Sequence, residues 1–551
     1  LFVTPSGNDT NPGTKDKPLA SLDGARDTIR RLRQTAGLPD GGIRVIVSGT
    51  YLVDKPFKLE AQDSGEPNKP IIYSGDGAAV FTGGINLNDF SRVEDPAILK
   101  RIRQEARTHL LQCNLKAAGI TDFGALANRG MGSANYPVRP WVDVYCFADD
   151  GKARAMPLSQ WPNTDQDELI IGTVHSGKFQ TPEANKPGEF EFSSPRFDNW
   201  TQADDIWMEG KWGHLWAAKT VPVEKIDREQ GRIHGGPGSG YGFREGQPFH
   251  FINLLEEIDL PGEWYLDRQT GILYFWPPES ADTSNLKLQF PVYDGLFVEA
   301  SNLTNVMVDN LAFELNRADA IVLDKCSDCL LSDCTIRKLG GNAVIIRGGE
   351  RVGLSGCLLE SLGAGGVDLI GGDRKTLTPS EHFMINCEVA DFSRVDRSYA
   401  PAASINGVGQ YIANCYIHGS PHHAFRIEGD MHLLEFNEVS DVVVEYDDQG
   451  GVDMWGNPTY RGNRFLYNYW HDIGNTFDVA GQSGIRFDDA ISSCLVLGNI
   501  FERSSGGRFG GVQIHGGKDN IVLANLFIDC SSALSCSQWS TDRWLESLQR
   551  S

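Results

Sequence analysis

FLYNYWH at 465–471, LVLGNIF at 495–501 and IVLANLF at 521–527 are three copies of one short phrase: an apolar run, a fixed Asn, then a further apolar pair. Towards the N-terminus the phrase recurs as LLEFNEV at 433–439, YIANCYI at 411–417 and FMINCEV at 383–389. Earlier still it reads VGLSGCLL at 352–359, LLSDCTI at 330–336 and VMVDNLAF at 306–313. The fixed column is Asn310, Cys334, Cys357, Cys387, Cys415, Asn437, Asn468, Asn499 and Asn525. A recurrence of about 25 residues, with strand alternation and no helical period, is the signature of a parallel β-solenoid, whose coils bury their apolar faces only against their neighbours. An Asn aimed into a turn can bond the backbone of adjacent coils, so stacked Asn form a ladder. A Cys at the same place acts as a small buried hydrophobe. The column cysteines are therefore expected as thiols rather than disulfides, and the lone CxxC at Cys326 and Cys329 is read as structural.

A second set of strands follows each phrase: AVIIRG at 343–348, GVDLIG at 366–371, SINGVG at 404–409, AFRIEG at 424–429, GVDMWG at 451–456, GIRFDD at 484–489 and GVQIHG at 511–516. Alternation turns the second and fourth residues inward and the third and fifth outward. The outward third column then reads Ile345, Asp368, Asn406, Arg426, Asp453, Arg486, Gln513, and the fifth Arg347, Ile370, Val408, Glu428, Trp455, Asp488, His515. A merely solvated face scatters Lys, Ser, Thr and Glu. This one gathers Arg426, Glu428, Asp453, Trp455, Arg486, Asp488 and His515 on consecutive coils with no Lys, the pattern of a substrate groove. Cross-strand salt bridging on an exposed sheet is the plainer alternative.

The whole chain has 551 residues, 40% of them apolar, with 61 Gly and a net charge of −23 from 50 Lys and Arg against 73 Asp and Glu. That composition supports a large core and excludes disordered and fibrous classes. The negative charge argues against nucleic-acid and anionic-membrane partners, whose binding rests on Lys and Arg, and leaves a carbohydrate open. No stretch approaches the ~18 apolar residues of a membrane span. The opening LFVTPSGND has neither a basic start nor an apolar run, so the protein is cytosolic or its signal peptide has been removed.

Residues 1–91 read as an N-terminal cap and first coils, with LASLDGARDTIRRLR an amphipathic helix over the end of the solenoid. Residues 92–285 break the repeat. Strand-like runs such as WVDVYCFA, DIWMEGKW and GILYFWPP predict a β-sandwich-like insertion whose tryptophans are mostly core. Residues 286–551 carry the groove. The predicted class is all-β: a right-handed parallel β-helix with an inserted β-sandwich-like domain and a capping helix.

FVTPSGNDTNPGTKDKPLASLDGARDTIR at the start, GEWYLDRQTGILYFWPP at 263–278, YDDQGGVDMWG at 446–456, YNYWHDIG at 467–474 and GGKDNIVLANLFIDC at 516–530 resemble secreted β-helix proteins that act on polysaccharides. Nearly the whole chain is similar to glycoside hydrolase family 141, which includes α-L-fucosidase and xylanase activities. The resemblance implies a secreted or periplasmic, monomeric enzyme and a catalytic pair of aspartates on neighbouring coils. It carries over to Asp448 and Asp489, with Asp447 and Asp488 as register alternatives. One departure is Gln449 with two glycines after Asp448, where the family often has Gly-Ala close to the Asp. The family also usually continues past the last segment, which leaves open whether further coils are missing after Ser551 or are supplied by a separate or cleaved piece.

Glycoside hydrolysis needs one carboxylic acid to protonate the leaving oxygen and a second carboxylate as base or nucleophile. Asp448, Asp489, Asp488 and Asp453 are the candidates. Arg426 and Arg486 would lower a neighbouring carboxylate's pKa, whereas packing against Trp455 would raise it. Glu428, Trp455, Arg426, Arg486, His515 and His423 are the candidate substrate contacts, with His418 and His422 nearby. The histidines lack ligand spacing, so no metal and no cofactor are expected; a structural Ca²⁺ at Asp488 and Asp489 is left open but not indicated. The expected partner is a poly- or oligosaccharide. A lyase or uronate epimerase, which needs a Lys, Arg, Tyr or His base, and a non-catalytic binding β-helix are the alternatives.

Overall fold

The structure is a computed structural model that describes residues 1–131, 138–163, 168–475 and 479–550. By internal contacts the chain forms two units, Leu1–Gly83 with Asp294–Ser551, and Gly84–Tyr293.

The first unit is a parallel β-helix. Each coil lays one strand on each of three parallel sheets, two of twelve strands and one of eleven. One coil runs Leu433–Glu435, Glu438–Ser440 and Gln449–Trp455, and the next runs Arg464–Leu466, Tyr469–His471 and Gly481–Asp488. The coils stack in register: Leu434 opposite Phe465, Val439 opposite Trp470, Val452 opposite Ile485 and Met454 opposite Phe487. All eight side chains are fully buried. This is the physical content of the alternation, because a shift of one residue would turn every one of them to solvent.

The Asn column is a hydrogen-bonded ladder. Asn437 Nδ2 donates to Asn468 Oδ1 at 2.9 Å, Asn468 Nδ2 to Asn499 Oδ1 at 3.0 Å, and Asn499 Nδ2 to Asn525 Oδ1 at 3.0 Å. Each Oδ1 also accepts the backbone N–H of the residue one coil back. Cys334, Cys357, Cys387 and Cys415 continue the column as buried free thiols. Asn310 does not belong to it. The register Asp309 to Ser332 puts Leu311 opposite Cys334, and Asn310 takes the preceding position. There Asp333, Asn386, Asn414, Phe436, Tyr467 and Ala524 all share its positive φ of 50–57°.

The outward columns also need one correction. Ser404, not Asn406, pairs with Asp368 and Arg426, while Asn406 pairs with Ile370 and Glu428. Val408 pairs with Asp430 and leaves the fifth column.

Helix Leu22–Ala36 starts at Ser21, whose side chain accepts the Gly24 N–H, and buries Leu22, Ala25 and Ile29. Arg30 on this helix grips Asp63 with two bonds of 2.6 Å. A second helix, Thr541–Arg550, follows the last strand, Leu534–Ser537.

The inserted unit is antiparallel throughout: one nine-stranded sheet and two four-stranded sheets. Trp161, Phe190, Phe197, Trp200, Trp212, Phe243, Phe249 and Phe251 make one of its cores. Trp141, Trp207 and Trp264 are buried too, so most of the insertion's tryptophans are core. Among the described residues no helix is long and apolar enough to cross a membrane.

Candidate active site

The candidate site lies on the outer face of the sheet that contains Phe425–Asp430, Gln449–Trp455, Gly481–Asp488 and Val512–His515. Adjacent strands there sit ~4.8 Å apart, so outward side chains of neighbouring coils meet directly. Arg426 stands opposite Asp453, Asp453 opposite Arg486, Trp455 opposite Asp488 and Arg486 opposite Gln513.

Asp447 and Asp448 divide their work at the start of Gln449–Trp455. Asp447 is buried. It accepts the backbone N–H groups of Ala480 and Gly481, both at 2.8 Å, and Gln482 Nε2 at 3.0 Å. It ties one coil to the next. Asp448 follows at φ 56°, a left-handed conformation that Asp tolerates, and Gly450 comes two residues later within the strand. A Cβ on Gly450 would lie 2.7 Å from Val452 O and 2.8 Å from Arg486 Cβ. The Asp448 carboxylate thereby reaches back over the sheet to Arg486 Nη2, at 2.7 Å.

Arg486 is the hub. Its Nη2 also meets Asp488 Oδ2 at 3.0 Å, and its Nη1 meets Asp453 Oδ1 at 3.4 Å. The Asp448 and Asp488 oxygens that share Nη2 therefore lie no more than about 6 Å apart. Burial pushes the Asp448 carboxyl up to about 6; Asp488, Asp447 and Asp453 add to the rise, and Arg486 opposes it.

Asp453 is only 1% exposed and bonds Arg426 as well as Arg486. Burial alone would raise it, but Arg426, His423, Arg486 and His422 together hold it down to about 2. It is a buried, ionised anchor paired with two arginines. Arg426 also meets Glu428 at 3.5 Å, and Asn406 bonds the other Glu428 oxygen at 3.2 Å.

Further along the groove, His515 Nδ1 meets Asp488 Oδ1 at 2.8 Å and Asp489 Oδ1 at 3.2 Å. Bonds to Asp488 and Asp489 raise the imidazole to about 9, so it is a cation at neutral pH. Asp489 also accepts from Trp455 Nε1 and from Arg543 Nη2, both at 3.1 Å. Despite burial, its carboxyl stays below the ordinary range because of His515, Arg543 and Trp455.

Asp488, Asp489 and His515 each present a ligand atom within 4.8 Å of the others, a spacing that a cation could bridge. The donor chemistry does not ask for one. Arg486 sits on Asp488, Arg543 sits on Asp489, and His515 bonds both.

The structure therefore brings together Asp448, Asp453, Asp488, Asp489, Arg426, Glu428, Trp455, Arg486 and His515. It does not bring His423 to the surface. That ring is fully buried, pushed down to about 4 by its burial, and bonds Gln449 Oε1 at 3.3 Å. It supports Asp453 from below rather than touching substrate. His422 is buried beside it, with ring centroids 4.3 Å apart. His418 lies on another sheet and meets Glu388 at 3.2 Å.

Three nearby residues escaped the sequence reading: Tyr399, which receives a 3.4 Å bond from Gln449 and lies under Arg426; Tyr460, which carries the Arg374 guanidinium on its ring; and Arg543. All three lie outside the outward columns, in loops or the terminal helix, where no period marks them.

The family described as "Right handed beta helix region" matches residues 401–547. A solved structure titled "Glycoside hydrolase" superposes with a TM-score of 0.62 at 14% identity, covering 99% of this chain and 98% of that one. "The complex structure of XylC with xylose" aligns at TM-score 0.38 and 13% identity over 94% of this chain and 69% of that one. The catalytic domain of GH87 α-1,3-glucanase with nigerose aligns at 0.22 and 7% over 78% and 90%. No curated protein sequence matches. The β-helix is right-handed, and its likeness to known structures is one of fold.

Proposed function

We propose that the protein is a glycoside hydrolase in which Asp448 protonates the leaving oxygen and Asp488 attacks as nucleophile, with retention of configuration. The observation that carries this reading is the shared nitrogen of Arg486, which brings one oxygen of each carboxylate within about 6 Å of the other and so supports a closely spaced pair of the double-displacement kind. Their environments divide the roles. Burial leaves Asp448 protonated up to about pH 6, whereas Asp488 lies between Arg486 and the His515 cation. In the first step the Asp488 oxygen forms a bond to the anomeric carbon as the glycosidic C–O bond breaks, and the Asp448 proton passes to the leaving oxygen. In the second, Asp448 takes a proton from water as that water displaces Asp488.

The sequence resemblance points to α-L-fucosides and xylans as substrate classes. The whole assembly lies on a solenoid face that a poly- or oligosaccharide can follow from coil to coil. A lyase or epimerase fits less well, because His515, Arg426 and Arg486 are all engaged by carboxylates and burial pushes the Tyr399 and Tyr460 phenols above their ordinary range.

Assays of the purified protein on fucosylated, xylan and pectic oligosaccharides should release reducing ends without absorbance near 235 nm. Asp448→Asn and Asp488→Asn should each lose at least about 1,000-fold in kcat. A rise in absorbance with cleavage means an unsaturated product and refutes the hydrolase reading.

A further inference from the structure

Three tryptophans connect to the C-terminal end of the groove, Trp539 and Trp544 by packing and Trp455 through Asp489, and what covers them differs. Trp539 lies against Gly516, where an added Cβ would meet its ring atoms at 2.4–2.6 Å, and carries the Arg543 guanidinium 3.9 Å from its ring centroid. Trp544 carries Lys518 at 4.5 Å and leans on Trp539 at 5.9 Å. These two rings dock the helix Thr541–Arg550. Trp455 is different: it is 54% exposed, and among the described residues no ring or cation stacks on it. Its single polar atom, Nε1, is tied to Asp489. An indole with its N–H pinned is a rigid apolar plate that loses little conformational freedom when a ligand covers it.

Asp489 is itself held. One oxygen takes the Trp455 N–H, and the other meets His515 and Arg543. A chain of contacts runs from the terminal helix through Arg543 and Asp489 to the indole.

We propose that Asp489 is a positioning residue which, with Arg543, fixes the Trp455 ring as a stacking platform for a neutral pyranose bound beside the Asp448–Asp488 pair. The flat C–H face of a pyranose carries partial positive charge and suits the negative face of an aromatic ring. A uronate would need a free cation here, and Arg426, Arg486, Arg543 and His515 are each already paired with a carboxylate. The placement beside a reacting pair rests on the hydrolase reading; the platform itself does not.

The test is calorimetric titration in an Asp448→Asn background, with xylohexaose, a fucosylated xyloglucan oligosaccharide and trigalacturonate as probes. A neutral probe should bind, and Trp455→Ala should weaken it at least tenfold while Trp455→Phe restores most of the loss. Asp489→Asn keeps an oxygen to accept the indole N–H and should stay within a few-fold, whereas Asp489→Ala should approach Trp455→Ala. On any glycoside that the wild-type chain cleaves, Asp489→Asn should raise KM more than it lowers kcat.

No binding of either neutral probe, preferential binding of trigalacturonate, or indifference to Trp455→Ala overturns the platform. A kcat loss of about 1,000-fold in Asp489→Asn with KM unchanged makes Asp489 a reacting group instead. Binding needs no turnover, so failure of the platform and failure of the hydrolase reading are separate results.

Discussion

Asp447 and Asp448 are chemically identical neighbours, yet one is tied to the next coil's backbone and the other is aimed at an arginine across the sheet. Asp488 and Asp489 differ likewise. The first ends a strand as an outward residue, and the second begins a turn at φ 42°. Strand alternation made Arg426, Asp453, Trp455, Arg486, Asp488 and His515 legible as outward residues. It could not say which member of each Asp-Asp step does what, because left-handed residues redirect the side chain by rules that periodicity does not carry. His423 misled for a similar reason: a histidine close to the columns in sequence is underneath them in space.

The residue scale also supports a pH prediction. An acid catalyst works only while protonated, and burial raises Asp448 to about 6. The value of kcat/KM should therefore fall as pH rises through about 6, and this limb should vanish from the residual activity of Asp448→Asn. A limb placed near pH 4, the ordinary carboxylate range, would mean that Asp448 is not the group titrating.

At the scale of the element, the solenoid is specified twice over. One column was read from the sequence. A second runs five residues ahead of it through His382, Gln410, His432, Asn463, Cys494 and Asn520. His382 Nδ1 accepts the Val352 N–H at 3.3 Å, His432 Nδ1 the Gln410 N–H at 3.1 Å and Asn463 Oδ1 the His432 N–H at 3.0 Å. Its mixed composition hid it, since the shared property is a buried acceptor rather than one residue type.

SINGVG was misaligned because it holds two glycines, Gly407 and Gly409. Gly407, at φ 107°, is the true partner of Gly429 at φ 105°. A Cβ on Gly429 would lie 2.1 Å from Gly407 O, so the coils approach too closely for a side chain there.

The Asn ladder can be tested alone. Asn468→Ala removes the acceptor for Asn437 N and Nδ2 and the donor to Leu434 O and Asn499 Oδ1. Each buried group left unpaired costs about 1–3 kcal/mol, so a loss of at least about 3 kcal/mol is expected. Thermal unfolding followed by circular dichroism should show a Tm several degrees lower. A Tm within one degree of wild type would mean that the ladder adds nothing to stability.

Across the whole molecule, the fold was the most readable property, because a repeat states its architecture in every coil. The inserted unit was visible as the place where the repeat stops and aromatic residues crowd. Arg543 was not visible. It comes from a helix beyond the last coil, and only the packing of Trp539 on Gly516 and of Trp544 with Lys518 brings it to Asp489.

Asp448 and Asp488, as proposed, form a reacting pair that passes through a covalent glycosyl intermediate. The most direct measurement is proton NMR of the first product released from a glycoside that the protein cleaves, recorded before mutarotation equalises the anomers. The first product should keep the anomeric configuration of the substrate. A first product of opposite configuration would mean a single displacement by water and would rule out Asp488 as a covalent nucleophile.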